Sequence, residues 1–327
     1  MKLGIGGSKI QDELNSLVSV KDEIKPIEIP EYLQRIDKLA LLMRKNGIEA
    51  TFLDCSSSLY YFTSIKLYPS ERLHGAIIFS NGRIIYICPE FEKQKIKELI
   101  KIKGEILTWQ ENEPPAKVLI SLLNNQLNKN DLIAIDELTP FFTFDAISKE
   151  NTKFNFSSAE KIIKQCRMVK SKNEIALIKT AMKISLEAQK VTARILFEGI
   201  STTQVQNFLS DAHLILGAEK IPVFNIVLFG KASAYPHGVN YDQYLQNGDM
   251  VLIDVGAEVG GYYSDITRTY VFGETNQYQK EIWELEKKAQ NAIFNTSKIG
   301  IECEKLDEAA RNVIASGGLG PNYNTPG

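Results

Sequence analysis

Two periods of apolar residues divide the first half of the chain into helices and strands. Residues 31–46 carry apolar side chains every three or four positions, which is typical of an amphipathic helix, and Gly47 ends this run. Residues 50–54 have the pattern of a strand. Residues 75–88 hold two short apolar runs on either side of Asn81-Gly82, which predicts a β-hairpin with a type I′ turn.

Helical and strand patterns continue to alternate up to about residue 160, which predicts an α/β fold for this part of the chain. Helical patterns cover residues 90–101 and 116–127, and strand patterns cover residues 106–109, 132–136 and 153–157. A chain of 327 residues is long for one hydrophobic core, so we expect two domains. The first would cover residues 30–160, after an irregular lead-in over 1–29 and before a basic linker over 161–172.

The second half of the chain is expected to form a second domain over residues 173–327, with several helical patterns and fewer strand patterns. Ser171 and Glu174 form a capping-box pattern at the start of a long helix. Further helical patterns cover residues 203–216, 277–298 and 304–315, and an apolar strand covers residues 222–229.

The stretch from Met250 to Tyr270 places Asp254 and Asp265 inside strand-like sequence, where carboxylates are rare. A two-residue turn at Val259-Gly260 would make a hairpin in which Asp254 faces Asp265 directly. Alternation then predicts an apolar face and an opposite polar face that carries both aspartates.

Two carboxylates in this arrangement repel each other. Directly opposed Cβ atoms lie about 5 Å apart, where two unit charges repel by about 3 kcal/mol at an effective dielectric constant near 20. A shared proton or a pair of divalent metal ions would relieve the repulsion. Alternatively, the strands splay and both carboxylates point into water or pair with Arg268 or Lys231.

Composition excludes several classes of partner. The net charge of -2 gives no electrostatic basis for binding nucleic acid, and no uninterrupted run of basic residues suggests binding to a membrane surface. No run of 18 apolar residues and no signal-peptide pattern occurs, so we expect a cytoplasmic protein. The four cysteines are widely spaced and are expected to be reduced and buried.

Of the three histidines, His237 is the candidate for chemistry. It lies in a Tyr-Pro-His-Gly loop between the apolar strand and the strand of Asp254, where it could act as a general acid or stabilise an oxyanion. His74 is expected at the surface or between domains, and His213 as a filler within a helix.

Several motifs together resemble the creatinase/aminopeptidase P/prolidase family of metallopeptidases. They are the Tyr-Pro-His-Gly loop at His237, the paired aspartates at this spacing, and the Thr-Arg-Thr sequence that follows Asp265. A stretch around Arg167 and a segment that begins at Leu59 support the resemblance, which covers the chain from about Tyr32 onward. It implies a creatinase-type α/β N-terminal domain and a "pita-bread" α+β C-terminal domain.

The resemblance also implies a site and a reaction. Asp254 and Asp265 would bind two divalent metal ions, with manganese expected and zinc or cobalt as alternatives, and His237 would lie over the substrate carbonyl. The substrates would be peptides with proline at the second position, cleaved in the manner of an Xaa-Pro aminopeptidase. We expect a homodimer or a higher homo-oligomer.

The sequence departs from the family in one respect. The remaining family ligands are a histidine and two glutamates, but no histidine follows His237, and Glu302, Glu304 and Glu308 do not match those glutamates. We therefore expect an incomplete pita-bread domain and an inactive chain. The alternatives are a non-catalytic binding or oligomerisation module of the same fold, a prolidase, and a creatinase-like hydrolase.

Overall fold

The computed structural model describes residues 5–319, which form two compact units. The N-terminal unit comprises residues 27–172, and the C-terminal unit combines residues 5–26 with residue 173 onward. The lead-in, expected to be irregular, contains helix α1 (Ile10–Asn15) and a 3-10 turn (Lys21–Glu23) and belongs to the C-terminal unit. No helix among residues 5–319 is long and apolar enough to cross a membrane.

The N-terminal unit is an α/β domain, as the sequence predicts. Its helices are α2 (Ile29–Lys45), α3 (Ser57–Thr63), α4 (Lys93–Leu99), α5 (Pro115–Asn124), α6 (Phe141–Glu150) and α7 (Glu160–Arg167). Its strands are β1 (Ile48–Asp54), β2 (Gly75–Phe79), β3 (Ile84–Pro89), β4 (Glu105–Trp109), β5 (Leu132–Ile135) and β6 (Asn155–Ser158). They form one mixed sheet in the order β4-β3-β2-β1-β5-β6.

Three helices of this unit depart from the sequence prediction, the first being α3, which was not predicted. Helix α6 has a weak apolar pattern and was not predicted. The stretch expected to be a linker forms α7, which buries Ile162, Ile163 and Cys166 while its lysines face solvent. An amphipathic helix with a strongly basic face has the composition of a connector, and only packing distinguishes the two.

The turn between β2 and β3 also differs from the predicted type I′ turn. Phe79 and Arg83 pair across it, so the loop has three residues, and Gly82 takes the left-handed conformation at φ 84°. Asn81 has no positive φ. This is the common three-residue hairpin loop, in which one left-handed glycine follows a type I turn.

The C-terminal unit holds a small antiparallel sheet. Its strands are β7 (Asn225–Phe229), β8 (Met250–Val255) and β11 (Ile266–Val271), in the order β11-β8-β7, while the short strands β9 (Glu258–Val259) and β10 (Tyr262–Tyr263) pair beyond them. Its longer helices are α8 (Lys172–Ile195), α9 (Thr202–Leu216), α10 (Gln277–Thr296) and α11 (Cys303–Ser316). This confirms an α+β domain.

The sheet of the C-terminal unit is covered mainly by α8 and α9. Ile253, Val255 and Ile266 are fully or almost fully buried on that side, together with the apolar positions of the two helices. Helix α10 packs on α11 and donates one hydrogen bond to the sheet, from the Trp283 indole to the Thr269 carbonyl at 3.2 Å. Phe294 of α10 is 70% exposed, so much of this helix pair's apolar surface faces solvent.

Two buried aspartates end adjacent parallel strands of the N-terminal unit. Asp54 is the last residue of β1, and Asp136 directly follows β5. Asp136 accepts a hydrogen bond from the Ser56 hydroxyl at 2.5 Å, and Asp54 accepts one from the backbone N–H of Cys55 at 2.6 Å. Burial raises the pKa of Asp54 to about 6, the Cys55 N–H opposes this shift, and the nearby charge of Asp136 adds to it.

The raised pKa of Asp54 makes the stability of this unit dependent on pH. The folded protein holds the proton more tightly than the unfolded chain, so the stabilisation is present below pH 4 and is lost as the pH rises toward 6. Asp54→Asn keeps the acceptor oxygen but cannot ionise. We expect this variant to gain up to about 3 kcal/mol over the wild type between pH 4 and pH 7.5, measured by urea unfolding. Asp37→Asn, at an exposed position of α2, is the control, and an equal pH slope in D54N and the wild type would contradict the assignment.

Candidate active site

Asp254 lies in the middle of the C-terminal sheet. Strand β8 alternates buried and half-buried residues, so Ile253 and Val255 face the helices and Asp254 faces the other way. Its cross-strand neighbours are Ile226 of β7 and Thr267 of β11. The Thr267 hydroxyl donates to Asp254 Oδ1 at 2.9 Å. This fixes the orientation of the carboxylate on the polar face that the sequence predicts.

The predicted direct opposition of Asp254 and Asp265 is wrong. Asp254 is opposite Thr267, because the hairpin turns at Gly260-Gly261 and not at Val259-Gly260. Both glycines have positive φ, 59° and 77°, which a type I′ turn requires at its two central residues and which valine resists. Moving the turn by one residue shifts the register by two, so every side chain keeps its predicted face.

The tip of this hairpin is anchored to the start of α8. The Tyr262 hydroxyl donates to Glu174 Oε1 at 2.9 Å. A Cβ placed on Gly260 would lie 3.1 Å from the Leu177 side chain, so the turn packs tightly against the helix. The glycine pair therefore serves both the turn conformation and the contact with α8.

Asp265 lies between β10 and β11, and its side chain is exposed. Continuing the register of β11 places it diagonally across from Asp254, at a Cβ separation of about 7 to 8 Å. The two carboxylates still interact. Burial raises the pKa of Asp254, the hydrogen bond from Thr267 opposes this shift, and the charge of Asp265 adds to it. At the diagonal separation the repulsion is about 2 kcal/mol at an effective dielectric constant near 20.

The loop of His237 lies over the same face of the sheet. The Gly238 N–H donates to the Tyr235 carbonyl at 3.0 Å, which closes a tight turn through His237. A Cβ on Gly238 would lie 3.8 Å from both Ile226 and Leu228, and Ile226 is the residue directly opposite Asp254. The His237 side chain is exposed. The fold thus brings the loop to the carboxylate face from 17 residues away in sequence.

The other candidates of the sequence lie elsewhere. His213 is fully buried, as expected of a filler, and is hydrogen-bonded on the side of the sheet that α8 and α9 cover. His74 is buried in the N-terminal unit. The Arg268 guanidinium donates to the Thr267 carbonyl. Cys55, Cys88 and Cys166 are buried, but Cys303 is exposed at the start of α11, contrary to the prediction.

Asp254 and Asp265 fit one edge of a divalent-metal site. Carboxylate oxygens suit hard divalent cations, and Asp254 offers one oxygen beyond the Thr267 hydrogen bond. They do not suffice for a dinuclear centre, because no group of three or more His, Cys, Asp or Glu side chains within residues 5–319 is placed to hold a metal ion. Metal centres in proteins commonly use three or four protein ligands.

Family models match both units of the chain. Residues 35–169 match the creatinase/prolidase N-terminal domain, and residues 176–325 match metallopeptidase family M24. An uncharacterized peptidase of Staphylococcus aureus (strain bovine RF122 / ET3-1) is 30% identical over 291 residues, which is 89% of this chain and 81% of the relative. The putative dipeptidase YkvY of Bacillus subtilis is 29% identical, over 89% of this chain and 80% of the relative.

Solved structures give the same result. The chain is similar to the prolidase from Thermococcus sibiricus, with a TM-score of 0.82 at 27% identity over 91% of this chain and 80% of that one. It is also similar to the X-Pro aminopeptidase from Thermotoga maritima, with a TM-score of 0.75 at 27% identity over 87% and 78% of the two chains. These structures confirm the expected combination of a creatinase-type domain and a pita-bread domain.

The coupling between the two aspartates can be tested without metal. Asp265→Asn removes a neighbouring negative charge and should lower the pKa of Asp254, whereas Thr267→Val removes a hydrogen bond to the ionised form and should raise it. Carbon-13 NMR titration of the Asp254 carboxyl measures both shifts. Asp307→Asn on the exposed surface of α11 should leave this pKa unchanged, and an unshifted Asp254 in D265N would show that the carboxylates are not neighbours.

Proposed function

The chain belongs to metallopeptidase family M24, and we propose that its active site acts on the peptide bond that precedes proline. The observation that carries the proposal is the meeting of Asp254, Asp265 and the His237 loop on one face of the β7-β8-β11 sheet. The relatives support a peptidase of this family, and the similar solved structures include prolidases and an X-Pro aminopeptidase.

Proline makes a dedicated site chemically necessary. A bond to the proline nitrogen is a tertiary amide without an N–H, and the ring fixes the backbone angle φ. A peptidase that recognises an ordinary amide by its N–H therefore cannot hold this bond in the same way. An exposed, open sheet face with charged groups on it can accept such a rigid substrate from the solvent side.

The residues of the site have separate roles in the proposed reaction. When divalent metal ions are bound, they supply an activated water and neutralise developing negative charge. Asp254 and Asp265 would hold them, and the Thr267 hydroxyl keeps the Asp254 carboxylate turned toward the open face. His237 would donate a hydrogen bond to the substrate carbonyl oxygen as negative charge develops there.

Substrate length is the finer part of the proposal. We propose cleavage of the first residue from peptides whose second residue is proline, the reaction named for the Thermotoga maritima structure. An Xaa-Pro dipeptide is the second candidate. It is favoured by the prolidases of Thermococcus sibiricus and Pyrococcus horikoshii among the similar structures.

Catalytic competence depends on the number of ligands. Residues 5–319 supply two neighbouring carboxylates, and no imidazole joins them in a metal-binding group within that part of the chain. Two oxygen ligands hold a transition metal weakly. We therefore propose that the 327-residue chain by itself is a poor catalyst, although the sheet face with Asp254 and Asp265 corresponds to a peptidase active site.

A turnover assay tests this competence. With Ala-Pro-Ala or Ala-Pro and micromolar manganese, zinc or cobalt, we expect the 327-residue chain to release alanine no faster than its Asp254→Asn variant. The physical reason is low metal occupancy. Turnover that clearly exceeds that of D254N would contradict the proposed inactivity and would at the same time establish the peptidase activity.

Metal binding tests the assignment of the site without turnover. A peptide that contacts a bound metal ion must tighten the binding of that ion by the same factor as the ion tightens the binding of the peptide. We expect Ala-Pro-Ala, but not Ala-Ala-Ala, to increase Mn²⁺ affinity in an EPR titration, and we expect Asp254→Asn to abolish the increase. Equal effects of both peptides would contradict Xaa-Pro recognition, and Ala-Pro in a third titration compares the two substrate lengths. If no peptide has an effect, the binding-module alternative gains support.

A further inference from the structure

Four polar side chains are buried behind the carboxylate face, between the sheet and the helices that cover it. They are Ser185 and Gln189 of α8, His213 of α9, and Ser264, which directly precedes Asp265; each is at most 5% exposed. Buried polar groups cost free energy unless they form hydrogen bonds. Their positions next to the aspartate-bearing strands therefore require an explanation.

Three of these side chains form a continuous hydrogen-bonded chain. His213 Nδ1 lies 2.7 Å from the Leu209 carbonyl oxygen, and His213 Nε2 lies 3.1 Å from the Ser185 hydroxyl. The Ser185 hydroxyl lies 2.8 Å from the Ser264 hydroxyl. The Ser264 oxygen in turn accepts a hydrogen bond from the Ala257 N–H at 2.9 Å.

The donors and acceptors of this hydrogen-bonded chain can be arranged in only one direction. A carbonyl oxygen only accepts, so Nδ1 of His213 carries a proton, and burial disfavours a second proton on Nε2. Ser185 must then donate to Nε2, and Ser264 must donate to Ser185. Ser264 is left with its oxygen lone pairs free to accept from Ala257, so every link of the chain has one donor and one acceptor.

Ser264, at the end of this hydrogen-bonded chain, pairs with Ala257 and so closes the hairpin behind Asp265. Its own N–H donates to the Ala257 carbonyl at 3.0 Å, while its hydroxyl accepts from the Ala257 N–H. This double contact lies between the β9-β10 pair and the β8-β11 pair, where the strand ladder is interrupted. The backbone at Asp265 therefore depends on Ser264 and not on a regular ladder.

Gln189 holds both aspartate-bearing strands from the same helix face. It lies one turn after Ser185, and its amide nitrogen donates to the Ile253 carbonyl at 2.9 Å and to the Ile266 carbonyl at 3.2 Å. Ile253 precedes Asp254, and Ile266 follows Asp265. The buried Oε1 of Gln189 has no hydrogen-bond partner among the described residues.

We propose that Ser185, Gln189 and His213 are positioning residues that fix Asp265 beside Asp254 through Ser264 and the two strand carbonyls. The consequence for metal binding rests on the proposed function, in which the two aspartates are ligands. The positioning of Asp265 itself does not rest on the proposed function, because it concerns the metal-free protein. Outer residues that orient metal ligands commonly change metal affinity by about 10- to 100-fold when they are removed.

Hydrogen exchange tests the positioning of Asp265. Ser185→Ala removes only a hydroxyl, and it should speed amide exchange in residues 256–266 by about tenfold in the metal-free chain, because a buried hydrogen bond is lost. Thr192→Val is the matched control: it removes another buried hydroxyl of α8, one that donates only to the Ala188 carbonyl of its own helix. Exchange in residues 256–266 should stay at the wild-type rate in T192V. Equal rates in S185A and wild type would overturn the proposal, as would a uniform increase across the C-terminal unit.

Mn²⁺ titration by EPR tests the consequence. We expect S185A and Gln189→Met to weaken Mn²⁺ binding by about tenfold and T192V to leave it unchanged. Wild-type affinity in both S185A and Q189M would overturn the positioning role, even if exchange had changed. Asp254→Asn separates the two proposals: if it binds Mn²⁺ as the wild type does, the ligand assignment of the proposed function fails, and hydrogen exchange alone decides how Asp265 is held.

Discussion

Repulsion between two carboxylates on one face of a small sheet is the constraint on which the C-terminal unit depends. The opposite face must stay apolar to pack on α8 and α9, so Asp254 and Asp265 cannot turn inward. The sheet holds Asp254 with the Thr267 hydroxyl and leaves Asp265 outside the ladder, at a diagonal and not directly opposite. This arrangement reduces the repulsion and leaves room for cations of the kind that family M24 uses.

Such an arrangement needs support from the buried side, because neither aspartate is held by apolar packing. Helix α8 provides it with two of its buried polar residues, one turn apart. Ser185 acts through Ser264, and Gln189 contacts the two strand backbones directly. An apolar residue in place of Ser185 would leave the Ser264 hydroxyl without its acceptor, and one in place of Gln189 would remove the donor to the Ile253 and Ile266 carbonyls.

Glycine has a comparable role at the hairpin tip and beside His237. Gly260 and Gly261 accept the positive φ that a type I′ turn requires, and that turn sets the register of the two aspartates. Gly238 accepts a φ of 84° in the tight turn that carries His237. In both places glycine permits a backbone conformation that places functional groups of separate segments on one surface.

The sequence by itself determined the elements, the faces and the candidate residues. Periodicity located α2, β1, α9, α10 and β8 within a few residues. In α2, α9 and β8 the pattern records the burial of one face against a core. The family motifs singled out Asp254, Asp265 and His237, and the matches to the family models support the resemblance on which they rest. Alternation correctly placed both aspartates on the polar face, since a register shift of two residues leaves faces unchanged.

Only the tertiary structure decided the register, the status of the basic stretch and the buried hydrogen-bonded chain. Val259-Gly260 and Gly260-Gly261 are both plausible turns in sequence, and the choice depends on the φ of each residue and on packing against Leu177. Helix α7 resembles a linker until Ile162, Ile163 and Cys166 are seen to be buried. Ser185, His213 and Ser264 are 79 positions apart at their extremes, and a hydrogen bond between distant residues leaves no periodic signal, because it depends on where the folded backbone brings them.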